Sequence, residues 1–198
     1  MNSPLYSIGS EYYLSKKVLT LLRKLDEQYG NIFSESPAAL RVHDAYPGGL
    51  VTHTRNVLRF VDVILNTYPA TLTCVNRNLV MFSSIVHDIG KITEYTPEVT
   101  RGKYHWFSHL GSGIELMSRH KEDIIEVFGE EGYYRILSVI QQHHGEFSES
   151  CHTLEAYIVH KADMLEAQMA KLNKDLEDVG HTIPEDGLKI EFGRYKVW

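Results

Sequence analysis

His87 and Asp88 stand side by side at the end of an apolar, helix-like run and are followed by Ile89-Gly90-Lys91. A neutral imidazole next to a carboxylate is a ready pair of metal ligands, and the glycine stops the helix behind them. In chain order the sequence places His53 before this pair and His109, His143, His144 and Asp163 after it. A lone histidine on an apolar helix face is more often a satisfied core residue than a ligand. These residues, however, fall near the ends or inner faces of successive helices, where facing helices of a bundle converge. As a set they point to a metal centre.

The elements that must carry them are read from hydrophobic periodicity. Helices are predicted over 12–29, from Pro47-Gly48-Gly49 to about 68, over 74–87, 108–120, 122–128, 133–144 and 153–176. Leu14, Val18, Leu21, Leu22 and Leu25 share one face of the first, which Gly30-Asn31 is expected to end. His53 lies on the inward face of the second. Asp163 sits on a stripe of Ala156, His160, Ala167 and Ala170, small side chains that allow close helix approach. Two stretches break the pattern: 95–107, with Pro97 and Gly102, reads as a loop or small hairpin, and the alternation of Leu188, Ile190 and Phe192 reads as one short strand. The expected fold is an all-α helical bundle in one domain, 1–198, with a core over about 40–176, an N-terminal helix within 1–35 and a tail over 180–198.

Composition narrows the classes. Of 198 residues 43% are hydrophobic, enough for one sizeable core. The apolar runs are too short to span a bilayer, and the start has no basic, apolar leader pattern, so a soluble, cytoplasmic protein with no membrane partner is expected. A net charge of −6 argues against coating nucleic acid by charge alone, but divalent ions would reverse the local sign where a phosphate sits. Cys74 and Cys151 have no metal-type spacing and are expected to be reduced, buried thiols.

The order His53, His87-Asp88, Asp163 resembles the signature of the HD superfamily of metal-dependent phosphohydrolases, which are all-helical. Closer matches extend the resemblance: Ala45-Tyr46-Pro47-Gly48-Gly49-Leu50 ahead of Thr52-His53-Thr54, then His87-Asp88-Ile89-Gly90-Lys91, His109-Leu110-Gly111, His143-His144-Gly145-Glu146, and Leu154-Glu155-Ala156 through His160-Lys161-Ala162-Asp163. These are similar to the HD domain of YhaM-type 3′-to-5′ exoribonucleases, over about residues 40–172. That family carries an OB-type nucleic-acid-binding domain before the HD domain, whereas the first 35 or so residues here are too few and too helical to form one. The acidic run Glu146-Phe147-Ser148-Glu149-Ser150-Cys151-His152 also departs from the family's Gly- and Pro-containing pattern.

Counting ligands gives the mechanism. His53, His87, Asp88 and Asp163 alone would hold one ion; His109 with His143 or His144 adds nitrogen ligands for a second, bridged by the two oxygens of Asp88. Two ions suit phosphodiester cleavage by a metal-activated hydroxide, with no side-chain nucleophile. Mixed imidazole and carboxylate ligands allow Mn, Fe, Ni, Co, Zn or Mg, and the family resemblance favours Mn.

Lys91, three residues after Asp88, is placed to meet a phosphate oxygen as a point charge. Arg55 and Lys161 point to other helix faces by spacing, so a surface charge is the simpler reading for both, with Arg55 kept as a phosphate candidate. The run Arg101-Gly102-Lys103-Tyr104-His105-Trp106-Phe107 interleaves basic and aromatic residues; it either stacks a base and holds its phosphate or covers the core with its rings. His105 competes with His109 as a ligand, and the family match favours His109. His120, His152, His160 and His181 read as surface or core-edge residues, and His43-Asp44 as support near the mouth of the site. The expected activity is a phosphodiesterase acting on single-stranded or short oligonucleotides from the 3′ end. Three alternatives stand beside it: a nucleotidase on small nucleotides, a cyclic-nucleotide phosphodiesterase, and a metal-binding regulatory module without turnover. The oligomeric state is open.

Overall fold

Apolar residues at helical spacing dominate the chain, and in a computed structural model they fold as an all-α bundle. The structure describes residues 3–41, 44–145, 150–178, 190–192 and 195–197. Among them the helices are α1 (Pro4–Ser10), α2 (Lys16–Glu35), α3 (Gly49–Thr67), α4 (Pro69–Leu72), α5 (Arg77–Val86), α6 (Lys91–Glu94), α7 (His109–Ser118), α8 (Lys121–Gln142) and α9 (Leu154–Asp178). None is long and apolar enough to cross a membrane.

α5 is the hub. Its residues from Leu79 to Val86 are all buried, as expected of a helix apolar on every side and surrounded by others. It packs against α1, α3, α8 and α9. Asn76 caps it by accepting from the Leu79 N–H, so its start is fixed and its far end delivers His87 and Asp88 into the middle of the bundle. α3 begins at a tight turn in which Gly48 has a φ of 84°, and a Cβ on Gly49 would overlap the Asp44 carbonyl.

Several element expectations change. The first helix starts at Lys16 rather than residue 12 and runs through Gly30 to Glu35. Glycine in a helix costs about 1 kcal/mol, whereas burying Phe33 completely contributes about 1.5–3 kcal/mol. A short α1 precedes it, with the Asp26 carboxylate of α2 accepting from the Leu5 and Tyr6 N–H groups at 3.0 and 2.8 Å. The two helices expected over 122–128 and 133–144 are both present, as the two arms of α8 on either side of a non-helical kink at Gly129 (φ 75°, ψ 170°). In 95–107 a single antiparallel bridge joins Tyr95 to Arg101, followed by a 3-10 turn at His105–Phe107. The tail forms two short antiparallel strands, β1 (Ile190–Phe192) and β2 (Tyr195–Val197), where one was expected. Leu188 and His181 lie outside the described residues. Cys74 is exposed and Cys151 half-buried; both are free, which corrects the expectation of buried thiols.

Candidate metal centre

α3 brings His53, the turn after α5 brings His87 and Asp88, α7 brings His109, the end of α8 brings His143 and His144, and α9 brings Asp163 to one point in the bundle. All seven expected ligands are gathered there. They form two sets joined by Asp88: His53, His87, Asp88 and Asp163 in one, Asp88, His109, His143 and His144 in the other, with ligand atoms in each set within 4.8 Å of one another.

The imidazoles are held so that Nε2 faces inward. His87 Nδ1–H donates to the Ser84 carbonyl at 2.7 Å and His143 Nδ1–H to the Ile140 carbonyl at 2.9 Å. Because a carbonyl only accepts, each Nδ1 carries the proton and each Nε2 is left as a lone-pair donor. Carboxylates do the same for two others: Glu166 Oε2 holds His53 Nδ1 at 2.7 Å and Glu94 Oε2 holds His109 Nδ1 at 2.6 Å. Such outer hydrogen bonds orient ligands and raise their basicity. Neither glutamate was expected from the sequence. Glu166 lies three residues after Asp163 on the same face of α9, a spacing that signals it, whereas Glu94 reaches His109 only through the fold.

The distances fit ions. Ligands about 2.1 Å from a common ion lie about 3.0–3.4 Å apart. In the first set His53 Nε2 is 3.2 Å from both Asp88 Oδ2 and Asp163 Oδ1 and 3.3 Å from His87 Nε2, and His87 Nε2 is 3.3 Å from Asp88 Oδ2. In the second set His143 Nε2 is 3.4 Å and His109 Nε2 3.7 Å from Asp88 Oδ1, with His109 and His144 Nε2 atoms 3.0 Å apart. Asp88 Oδ1 and His143 Nε2 are buried with no hydrogen-bond partner among the described residues. A buried polar atom without a partner costs about 1–3 kcal/mol, and a cation between these two removes that cost.

The local field agrees. Burial disfavours charge on His53, but Asp163, Asp88 and Glu166 outweigh it and lift its pKa well above the ordinary value, so positive charge is favoured there. Burial also opposes the Asp88 and Asp163 charges, yet both stay ionised: the Lys91 ammonium above all holds Asp88 well below the usual carboxylate range, and His53 does so for Asp163. In the second set burial pushes His143 below the ordinary histidine value and His144 down to about 4, which keeps both imidazoles neutral as ligands must be.

Lys91 is buried beside the centre with its ammonium 2.6 Å from Asp88 Oδ2. Burial works against its charge, and Asp88 with Asp163 more than restores it. Arg55 is not brought to the centre: two residues beyond His53 is about 200° around a helix, and its guanidinium meets Glu11 at 3.4 Å. Arg101 and Lys103 are exposed on the segment between Glu94 and His109. Lys161 lies over the Tyr157 ring. His105 Nδ1–H donates to the Gly102 carbonyl and stands outside both ligand sets. His120 is buried against Tyr29, and His160 donates to the His143 carbonyl at 2.7 Å, supporting the ligand-bearing turn. His152 is exposed, His43 lies outside the described residues, and Asp44 stands near His53 and Glu166.

A family model for the HD domain matches residues 50–168. The 3′-5′ exoribonuclease YhaM of Listeria innocua is 29% identical over 180 residues, covering 87% of this chain and 55% of that protein. The dihydroneopterin 2′,3′-cyclic phosphate phosphodiesterase of Methanocaldococcus jannaschii is 29% identical over 170 residues, covering 79% of this chain and 64% of the relative. The YhaM of Bacillus pumilus is 28% identical, covering 79% of this chain and 50% of its own. The chain thus spans about half the length of the exoribonucleases it matches. No solved structure matches it.

Proposed function

The chain belongs to the HD-domain family, and from that premise we propose that it is a metal-dependent phosphodiesterase that shortens single-stranded or short oligonucleotides from the 3′ end. The observation that carries this reading is Asp88, whose Oδ2 lies in one ligand set and whose Oδ1 lies in the other. A bridging carboxylate between two imidazole-containing sets is the donor arrangement of a two-ion site, and two ions suit a diester. The relatives named above, exoribonucleases and a cyclic phosphate phosphodiesterase, carry names that describe phosphodiester cleavage. When bound, such ions supply a nucleophile from water at neutral pH and neutralise charge gathering on the phosphate. Mn²⁺ is the first ion to test.

The chain's own residues do the rest. Asp88 would serve both ions, with His53, His87 and Asp163 holding one and His109, His143 and His144 the other. Lys91 lies with its charge beside Asp88 and meets a non-bridging phosphate oxygen, lowering the cost of bringing an anion to a buried site. Arg101 and Lys103 hold flanking phosphates. The cyclic phosphodiester reading stays beside this one, because the archaeal relative is named for such a substrate.

The test compares bis-p-nitrophenyl phosphate with p-nitrophenyl phosphate in Mn²⁺, for the wild type and D88A, and then follows a 5′-labelled single-stranded RNA. Diester cleavage that D88A abolishes, with a ladder of 5′-labelled products shortening stepwise, is the expected result. Monoester cleavage alone would transfer the reading to a nucleotidase, and no cleavage of either would leave a metal-binding regulatory module.

A further inference from the structure

Solvent exposure marks the mouth of the centre. The side chains of His53, His87, Asp88 and His143 are at most 2% exposed, whereas Asp163 and Glu94 are each 18% and His109 13% exposed. The segment 95–108 leaves the bundle at Glu94 and returns at His109, so both its ends stand at that mouth. Glu94 fastens the segment at its return and at its middle: its carboxylate accepts from the His109 N–H, and its carbonyl accepts from the Gly102 N–H at 2.7 Å. A Cβ on Gly102 would crowd the Thr93 and Glu94 carbonyls, so this segment lies tightly against α6.

Held this way, the segment presents three aromatic rings to solvent. Trp106 is 73% exposed, and Tyr104 and Phe107 are about half exposed. They meet edge to face, Tyr104 with Trp106 at 6.4 Å and Trp106 with Phe107 at 6.3 Å between centroids. That exposure excludes the role of covering the core. Trp106 is three residues from the ligand His109, which limits their Cα atoms to about 11 Å apart, a span that one or two nucleotides bridge. Arg101 and Lys103 are exposed on the same segment. Flat rings interleaved with cations at the rim of a phosphate-cleaving centre match what a single strand offers, a base face and a phosphate at each step.

We propose that Tyr104, Trp106 and Phe107 form a base-stacking subsite that seats a nucleobase of the substrate while the adjoining phosphodiester lies at the metal centre. This rests on the phosphodiesterase reading above and names what that activity selects: a diester flanked by a base, rather than a bare phosphodiester.

The chain has two tryptophans, so W198F leaves Trp106 as the only reporter. In EDTA, which separates binding from turnover, a short single-stranded oligonucleotide quenches Trp106 fluorescence, and the same length of abasic strand does not. In Mn²⁺, W106A raises KM for the base-bearing strand by about 5- to 100-fold, with kcat nearly constant and no matching loss on the abasic strand, and W106F restores most of the affinity. Absent quenching, or equal losses on both strands, overturns the subsite. Absent quenching together with a solution mass that falls in W106A would place a second copy of the chain on this face and equally overturn it. If the wild type cleaves neither strand, the diesterase reading fails, and quenching still decides whether bases bind.

Discussion

With Asp88 Oδ2 among His53, His87 and Asp163, and Oδ1 facing His143 and His109, the two halves of the centre share one residue but have separate outer supports. Glu166 supports only the first set, through His53, and Glu94 only the second, through His109. E166Q is therefore expected to weaken ion binding at the first set and E94Q at the second, each by about 10- to 100-fold. Calorimetric titration of the metal-free variants checks this, and a single substitution that weakened both steps equally would show that the sets are not separate. Lys91 is a different case, because it is near the ligands without being one. K91A is expected to retain the ions and to lose about 10²–10³-fold in diester turnover, measured as kcat at saturating Mn²⁺. Unchanged kcat would reduce Lys91 to a counter-ion of Asp88. At this scale the candidate ligands were legible in the sequence, because His-Asp and His-His pairs at helix ends and a lone His or Asp on an inward helix face are visible in one dimension. Glu94 was not, since nothing in the sequence pairs it with a residue fifteen positions away.

At the scale of elements, the short turn between α5 and α6 controls the second ligand set. Gly90 has an ordinary helical φ of −64°, so its glycine is not needed for conformation. It is needed for space, because a Cβ there would overlap the His109 carbonyl and press on the Gly113 N–H. G90A is expected to push α7 away from α6 and move His109, so that the second ion is lost before the first, read as one ion per chain where the wild type is expected to bind two. Retention of both ions would show that α7 adjusts without moving the ligand. The helices of the core were legible from apolar spacing, and their ends were not. α2 passes Gly30 because Phe33 is buried beyond it, and α1 is capped by Asp26 from another helix. Each of these outcomes is decided by a tertiary contact that outweighs the local signal.

For the molecule as a whole, stability should depend on pH through His120 as well as through the centre. Burial holds its imidazole below the ordinary value, so the unfolded chain binds this proton more readily than the folded one. Stability from this group is present above about pH 6.5 and is lost as pH falls below it. The stability difference between the wild type and H120Q, which retains a partner for Tyr29, is expected to shrink from pH 7.5 to 5.5 in denaturant titrations. A constant difference would show that His120 does not titrate on unfolding. The all-α class and the gathering of seven candidate ligands were legible from the whole sequence, because each lies on the inner face of a helix or in the turn that ends one. The fastening of segment 95–108 by Glu94 was not. The central claim, a centre bridged by Asp88 that needs both halves to cleave a diester, is tested most directly by adding Mn²⁺ stepwise to the metal-free protein while following ions bound and bis-p-nitrophenyl phosphate hydrolysis together. Two ions per chain, with hydrolysis rising on the second, is the predicted result; full hydrolysis at one ion per chain would contradict it.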